Sequence, residues 1–150
     1  MFAAAVLAGC ASSEEPKDAK PESKPSPSAE FKCVPLEKSV VKHFQDGAVG
    51  PKIRPRHAEA VKLPKPVTPA DSPKPKLNYA VAFRVATPDG EQVALIATEK
   101  LDGGGFTLAA DETARKLFIF GADITDDSPV GLMGAEVASS SAAEAARACL

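Results

Sequence analysis

The chain has 150 residues, a net charge of −2, fourteen prolines, seven phenylalanines, one tyrosine and no tryptophan. That length is too short for two ordinary domains, and the scarcity of aromatic residues leaves a modest core of Ala, Val, Leu, Ile and Phe. No basic stretch is interleaved with aromatic residues, which argues against nucleic-acid binding, and no catalytic or cofactor motif occurs anywhere in the chain.

The first informative element is Phe2 to Gly9, an uncharged run of Phe, Ala, Val, Leu and Gly that ends in Leu7-Ala8-Gly9-Cys10. Its eight residues suffice for the apolar stretch of an export signal and fall far below the roughly 20 needed to span a bilayer. Leu-Ala-Gly-Cys resembles the lipobox of bacterial lipoproteins, whose cysteine is diacylated after export and becomes the mature N-terminus. The resemblance implies lipid attachment at Cys10 and a place on the extracytoplasmic face of the cell membrane. A basic stretch ahead of the apolar run is missing, so the true start is expected upstream.

Residues 11–30 carry no aromatic or β-branched residue and four prolines, Pro16, Pro21, Pro25 and Pro27. Such a segment buries nothing that offsets the entropy of ordering, and it predicts a disordered, solvated tether. Residues 31–150 then form one small domain. Cys33 and Cys149 are the cysteines left besides Cys10, and an extracytoplasmic address favours a disulfide between them. Closing so long a loop contributes about 4–5 kcal/mol in the chain-entropy account. The competing reading, a thiol pair for metal or redox work, lacks CxxC spacing.

Leu36, Val40, Val41 and Phe44 lie on one stripe of a helix that Gly47 should end. Residues 50–76 follow with seven prolines and seven basic residues, Lys52, Arg54, Arg56, Lys62, Lys65, Lys74 and Lys76, against Glu59 and Asp71. Prolines at that density predict neither a regular helix nor a central strand, only a short edge strand over Ala58–Leu63. From Leu77 onward the balance reverses, with eleven acidic residues against five basic ones. On a membrane-tethered protein the basic strip is a candidate contact for lipid head groups or anionic wall polymers, with Lys52, Arg54, Arg56 and Lys62 as its first residues to test. Its plainer reading is a solvated irregular segment whose lysines keep it soluble.

Tyr79, Val81, Phe83 and Val85 alternate with Ala80, Ala82, Arg84 and Ala86, a strand with one bulky face. Thr87-Pro88-Asp89-Gly90 is a turn, and Val93, Leu95 and Ala97 continue the alternation in a second strand. Asp102-Gly103-Gly104-Gly105 turns into a third strand at Phe106-Thr107-Leu108. Asp111 is placed to cap a helix that buries Ala114, Leu117 and Phe118, although Leu117–Phe120 also has strand propensity. Ser141 and Glu144 have capping-box spacing at the start of an alanine-rich helix carrying Cys149. The expected fold is α+β, three to four antiparallel strands flanked by short helices.

The run Ala60-Val61-Lys62, the strand pair Tyr79–Thr98, the turn Leu101–Gly105, the segment Phe106–Asp111 and the ending Ala148-Cys149-Leu150 resemble a group of small actinobacterial exported lipoproteins. The similarity covers most of residues 57–150. It implies a tethered single domain with one early and one near-terminal cysteine, positions that Cys33 and Cys149 match. Residues 64–76 form a proline insertion that departs from the pattern. The resemblance implies no activity.

Other chemistry finds little support. No G-x-S-x-G elbow occurs, and the glycine run lacks the spaced Gly-Lys-Ser/Thr of a phosphate loop. Asp123, Asp126 and Asp127 do not follow a calcium-loop pattern and are expected to cap or solvate a turn. His43 and His57 are expected at the surface without partners. No metal or other cofactor is expected. Two functions remain: a non-enzymatic module that binds an envelope protein or an anionic wall polymer, and an envelope enzyme with scattered carboxylates such as Glu99 or Asp102.

Overall fold

The computed structural model describes residues 31–121 and 124–150. The expected signal segment with Cys10, the expected tether 11–30 and Asp123 lie outside the described residues. The elements in chain order are β1 (Val34–Pro35), α1 (Lys38–Asp46), β2 (Arg54–Val67), β3 (Leu77–Thr87), β4 (Gly90–Thr98), β5 (Thr107–Ala109), α2 (Glu112–Leu117), α3 (Pro129–Ala138) and α4 (Ser141–Ala148). The five strands form one antiparallel sheet in the order β1-β2-β3-β4-β5. The fold is α+β, as the alternation of apolar residues requires.

The β3–β4 hairpin is the centre of the sheet, paired without interruption from Tyr79↔Thr98 to Thr87↔Gly90. Its turn is held by Thr87, whose hydroxyl donates to the Gly90 carbonyl at 2.7 Å and accepts from the Asp89 N–H at 3.2 Å. Gly90 has a φ of 120°, a conformation open to residues without a Cβ. Burial begins at Val85 on β3 and Ala94 on β4. Val93, though in phase with Leu95 and Ala97, therefore stays exposed.

The proline segment departs from expectation. In place of a short edge strand over Ala58–Leu63, β2 runs for 14 residues and pairs with β3 from Arg54↔Ala86 to Val67↔Leu77. Register shifts fall between Pro55 and His57 and between Lys62 and Val67. Pro64 and Pro66 lie inside the second shift and Pro55 borders the first, where an absent N–H removes no regular ladder bond. The other edge of β2 is covered by β1 only at Ala60 and Glu59, extended by the Leu36 N–H donating to the Ala58 carbonyl at 3.1 Å. Exposed lysines and prolines at positions 62 and 64–66 discourage strand addition along the uncovered part.

Both faces of the sheet are buried. On one, Val81, Phe83 and Val85 of β3 join Ala94 and Ile96 of β4 under Phe44 of α1 and Ala114, Leu117 and Phe118 of the α2 region. On the other, Ala80, Ala82 and Ala97 meet Ala142, Ala143, Ala145 and Ala146 of α4, with Met133 and Val137 of α3. The small face of β3 is thus a second core face, because an alanine-rich helix can approach an alanine-rich sheet closely enough to exclude water.

α1 buries Phe44 and ends where Gly47 caps it. α3 has no counterpart among the expected elements. Ser128 caps it by accepting from the Gly131 N–H at 3.0 Å, with Pro129 in the first turn. α4 is capped by Ser140, which accepts from the Ala143 N–H at 3.1 Å. The cap lies one residue before the expected Ser141, so Glu144 falls outside the capping-box position. Leu117–Phe120 does not become a strand, since Phe118 makes a single bridge to Ala48 before a short 3₁₀ turn, Ile119–Gly121.

Asp111 ties three elements together. One carboxylate oxygen caps α2 by accepting from the Ala114 N–H at 2.8 Å and also accepts from the Leu95 N–H of β4 at 3.2 Å. The other accepts from Arg147 of α4 at 3.2 Å. Asp111→Ala is expected to destabilise the protein by about 2 kcal/mol, since it removes a cap and leaves a part-buried N–H without its partner. Asp111→Asn, which keeps the acceptor, should cost about half as much. Urea unfolding of both variants checks this, and equal losses would mean that the cap contributes nothing.

Candidate functional site

The four basic residues singled out on the strip do not come together. Lys52 and Arg54 lie at the approach to and first residue of β2, where Arg54 Nε donates to the Pro51 carbonyl at 3.4 Å. Arg56 follows at the first register shift. Lys62 stands six positions further along the same strand, roughly 20 Å away at the rise of an extended chain. All four are exposed.

Arg56 instead meets side chains from another element. A groove of about 450 Å³ between α1 and β2 is lined by Leu36, Lys38, Val41, Lys42, Gln45, Arg56 and His57. Lys38 and Lys42 are one helical turn apart, so they share a side of α1. The amphipathic stripe that buries Phe44 leaves that side toward solvent and β2. No carboxylate among the described residues lines the groove. Lys38, Lys42 and Arg56 form no ion pair among the described residues, whereas Arg84, Arg115, Lys116 and Arg147 pair with Glu91, Asp126, Glu112 and Asp111. The Lys116 pair also holds the exposed Glu112 carboxyl below its ordinary value, by hydrogen bond first and charge second. The two lysines of α1 are the contribution that reading the strip alone overlooks. Their i, i+4 spacing on an amphipathic helix is the signal that could have found them.

A second groove of about 550 Å³ lies beside the first turn of α1, lined by Val34, Pro35, Leu36, Glu37, Ser39, Val40, Leu101 and Asp102. Its charged groups are carboxylates, so α1 stands between an acidic groove and a basic one. The two carboxylates considered for acid–base work both hold the glycine loop. Glu99 Oε2 accepts from the Phe106 N–H at 3.2 Å, and Asp102 Oδ1 accepts from the Gly104 N–H at 2.8 Å. Gly105, at φ 73°, leaves room for Glu99, whose Oε2 would lie 3.1 Å from a Cβ placed there.

Both histidines are at the surface but not without partners. His57 Nε2 lies 3.1 Å from Glu59 Oε1, because residues two apart on a strand share a face. His43 packs edge-on to Phe44 with ring centres 5.6 Å apart, and it covers Gly103, where a Cβ would come within 2.9 Å of its ring. Asp126 pairs with Arg115. No group of three or more His, Cys, Asp or Glu side chains among the described residues is placed to hold a metal ion.

Cys33 and Cys149 are joined as a disulfide, their Cα atoms 5.9 Å apart across 116 positions. The bond fastens the chain just before β1 to the C-cap of α4. Beside it Arg84 donates to the Leu150 carbonyl at 2.7 Å. Among the described residues no helix is long and apolar enough to cross a membrane.

Comparison with protein-family models, curated proteins and solved structures finds no match.

Proposed function

We propose that this chain is a lipoprotein of the extracytoplasmic face of the cell membrane, anchored through Cys10, and that it acts there as a non-enzymatic binding module of the envelope. The observation that carries this reading is the Cys33–Cys149 disulfide. A disulfide that closes nearly the whole domain suits an oxidising compartment and is rare where glutathione keeps thiols reduced. It agrees with the Leu7-Ala8-Gly9-Cys10 motif and the Pro/Lys/Glu tether that precede the domain. Two acyl chains on one cysteine suffice for stable attachment.

Binding is favoured over catalysis because Glu99 and Asp102 are engaged in holding backbone N–H groups, while Lys38, Lys42 and Arg56, which form no ion pair among the described residues, line one groove between α1 and β2. An anionic wall polymer or an acidic envelope protein is the class of partner that such a surface attracts.

The intact mass of protein extracted from membranes, alkylated with and without prior reduction, tests the reading. A chain beginning at Cys10 with added acyl mass, and two thiols that appear only after reduction, is the expected result. An unprocessed chain with three alkylated thiols would overturn the anchor, the address and the disulfide together.

A further inference from the structure

We infer that the groove between α1 and β2 binds a phosphodiester, with Arg56 on one wall and Lys38 and Lys42 on the other. The groove's charged side chains, Lys38, Lys42 and Arg56, are all cationic, and Gln45 and His57 carry N–H groups that can donate. Lys38 and Lys42 are like charges one turn apart, an arrangement that is mildly unfavourable in the free protein and that an anion between them relieves. Of the carboxylates near it in sequence, Glu37 lines the acidic groove, Asp46 lines a separate cleft with His43 and Phe120, and Glu59 Oε1 is taken up by His57 Nε2 at 3.1 Å.

Two opposed cationic walls suit a tetrahedral group better than a planar one. A phosphodiester offers non-bridging oxygens in diverging directions, so a guanidinium fork from the strand and ammonium groups from the helix can engage it at once. A carboxylate presents both oxygens along one edge. Leu36 and Val41 supply apolar surface for the carbon linker between phosphates, and about 450 Å³ accommodates a repeat unit of such a chain. A wall polymer and a lipid head group both supply such a phosphate, and the chemistry of recognition is the same.

Where the ligand comes from rests on the envelope reading above, but the site itself does not. Titration of the oxidised full-length chain with poly(glycerol phosphate), followed by calorimetry, tests the site. Lys42→Gln/Arg56→Gln should weaken binding roughly tenfold or more, as expected for removing two cations from one anion. Lys38→Gln/Lys42→Gln, which leaves β2 unaltered, should weaken it comparably. Lys65→Gln/Lys76→Gln removes the same charge from exposed positions outside the groove and should change it less than about twofold. Thermal melts of all three variants should match the parent.

Equal losses in the groove and control variants would reduce the effect to diffuse charge and overturn the site. So would the absence of binding by the parent, or equal competition by poly(glutamate) of matched length. Phosphatidylglycerol vesicles distinguish the source, since groove-dependent vesicle binding assigns the phosphate to lipid and polymer binding alone assigns it to the wall. If binding holds while membrane extraction yields an unprocessed chain, the site stands and the anchored-lipoprotein reading falls.

Discussion

A Cys33→Ser/Cys149→Ser chain is expected to melt roughly 15–20 °C below the parent, taking about 4–5 kcal/mol for the cross-link and about 4 °C per kcal/mol for a domain of this size. The disulfide spans 116 positions, so its loss frees nearly the whole domain in the unfolded state. The native state also feels the loss locally. β1 is only two residues long and is held by the pairs Val34↔Ala60 and Pro35↔Glu59, too few to keep it docked without a covalent tie. Its release would uncover the middle of β2, the stretch that carries the fewest edge-protecting residues. The parent melted with reductant should reproduce the variant. A drop below about 5 °C in both would show that the sheet and α4 hold β1 without the bond.

Phe118→Ala should cost about 3–5 kcal/mol, the range for removing a fully buried aromatic side chain. Phe118 has no exposed surface and joins two aromatic groups. Its ring stacks on Phe120 at 5.0 Å and tilts against Phe83 at 5.8 Å, and Phe83 in turn meets Phe44 of α1 at 5.2 Å. Removing it opens a cavity between sheet and helices that rigid β3 cannot close. Its bridge to Ala48 positions the chain leaving α1, so loosening should extend to the basic groove. Denaturant unfolding measures the loss, with Phe118→Leu as the milder control. A loss under about 1 kcal/mol would mean that the cluster repacks around the gap.

How much of this was legible in the sequence follows the distance over which each signal acts. The α1 stripe ending at Gly47, the Thr87–Gly90 turn, the alternation of β3 and the Asp111 cap all depend on residues within one turn or one hairpin of each other. Each appears in the structure where the residues indicate. The cysteine pair was legible for another reason, since the lipobox resemblance sets Cys10 apart as an expected lipid site and leaves Cys33 and Cys149 as the pair.

The remainder required the partners that folding supplies. Proline content alone argues for a short β2, but pairing with β3 carries it through Val67, and register shifts absorb the prolines. The alanine face of β3 reads as the minor one until α4 arrives from the far end of the chain to bury it. α3 is apolar around much of its circumference, so it lacks the periodic contrast that marks a surface helix, and its Ser128-Pro129 start was its remaining signal. The basic strip read as a linear motif grouped Arg56 with Lys62. In the fold Arg56 faces Lys38 and Lys42 instead. By itself the sequence determined the local elements, the cysteine pairing and the excess of cations in one half. Only the tertiary structure decided which cations share a groove, because an extended strand separates neighbours along the chain while helix-on-sheet packing joins residues that are distant in it.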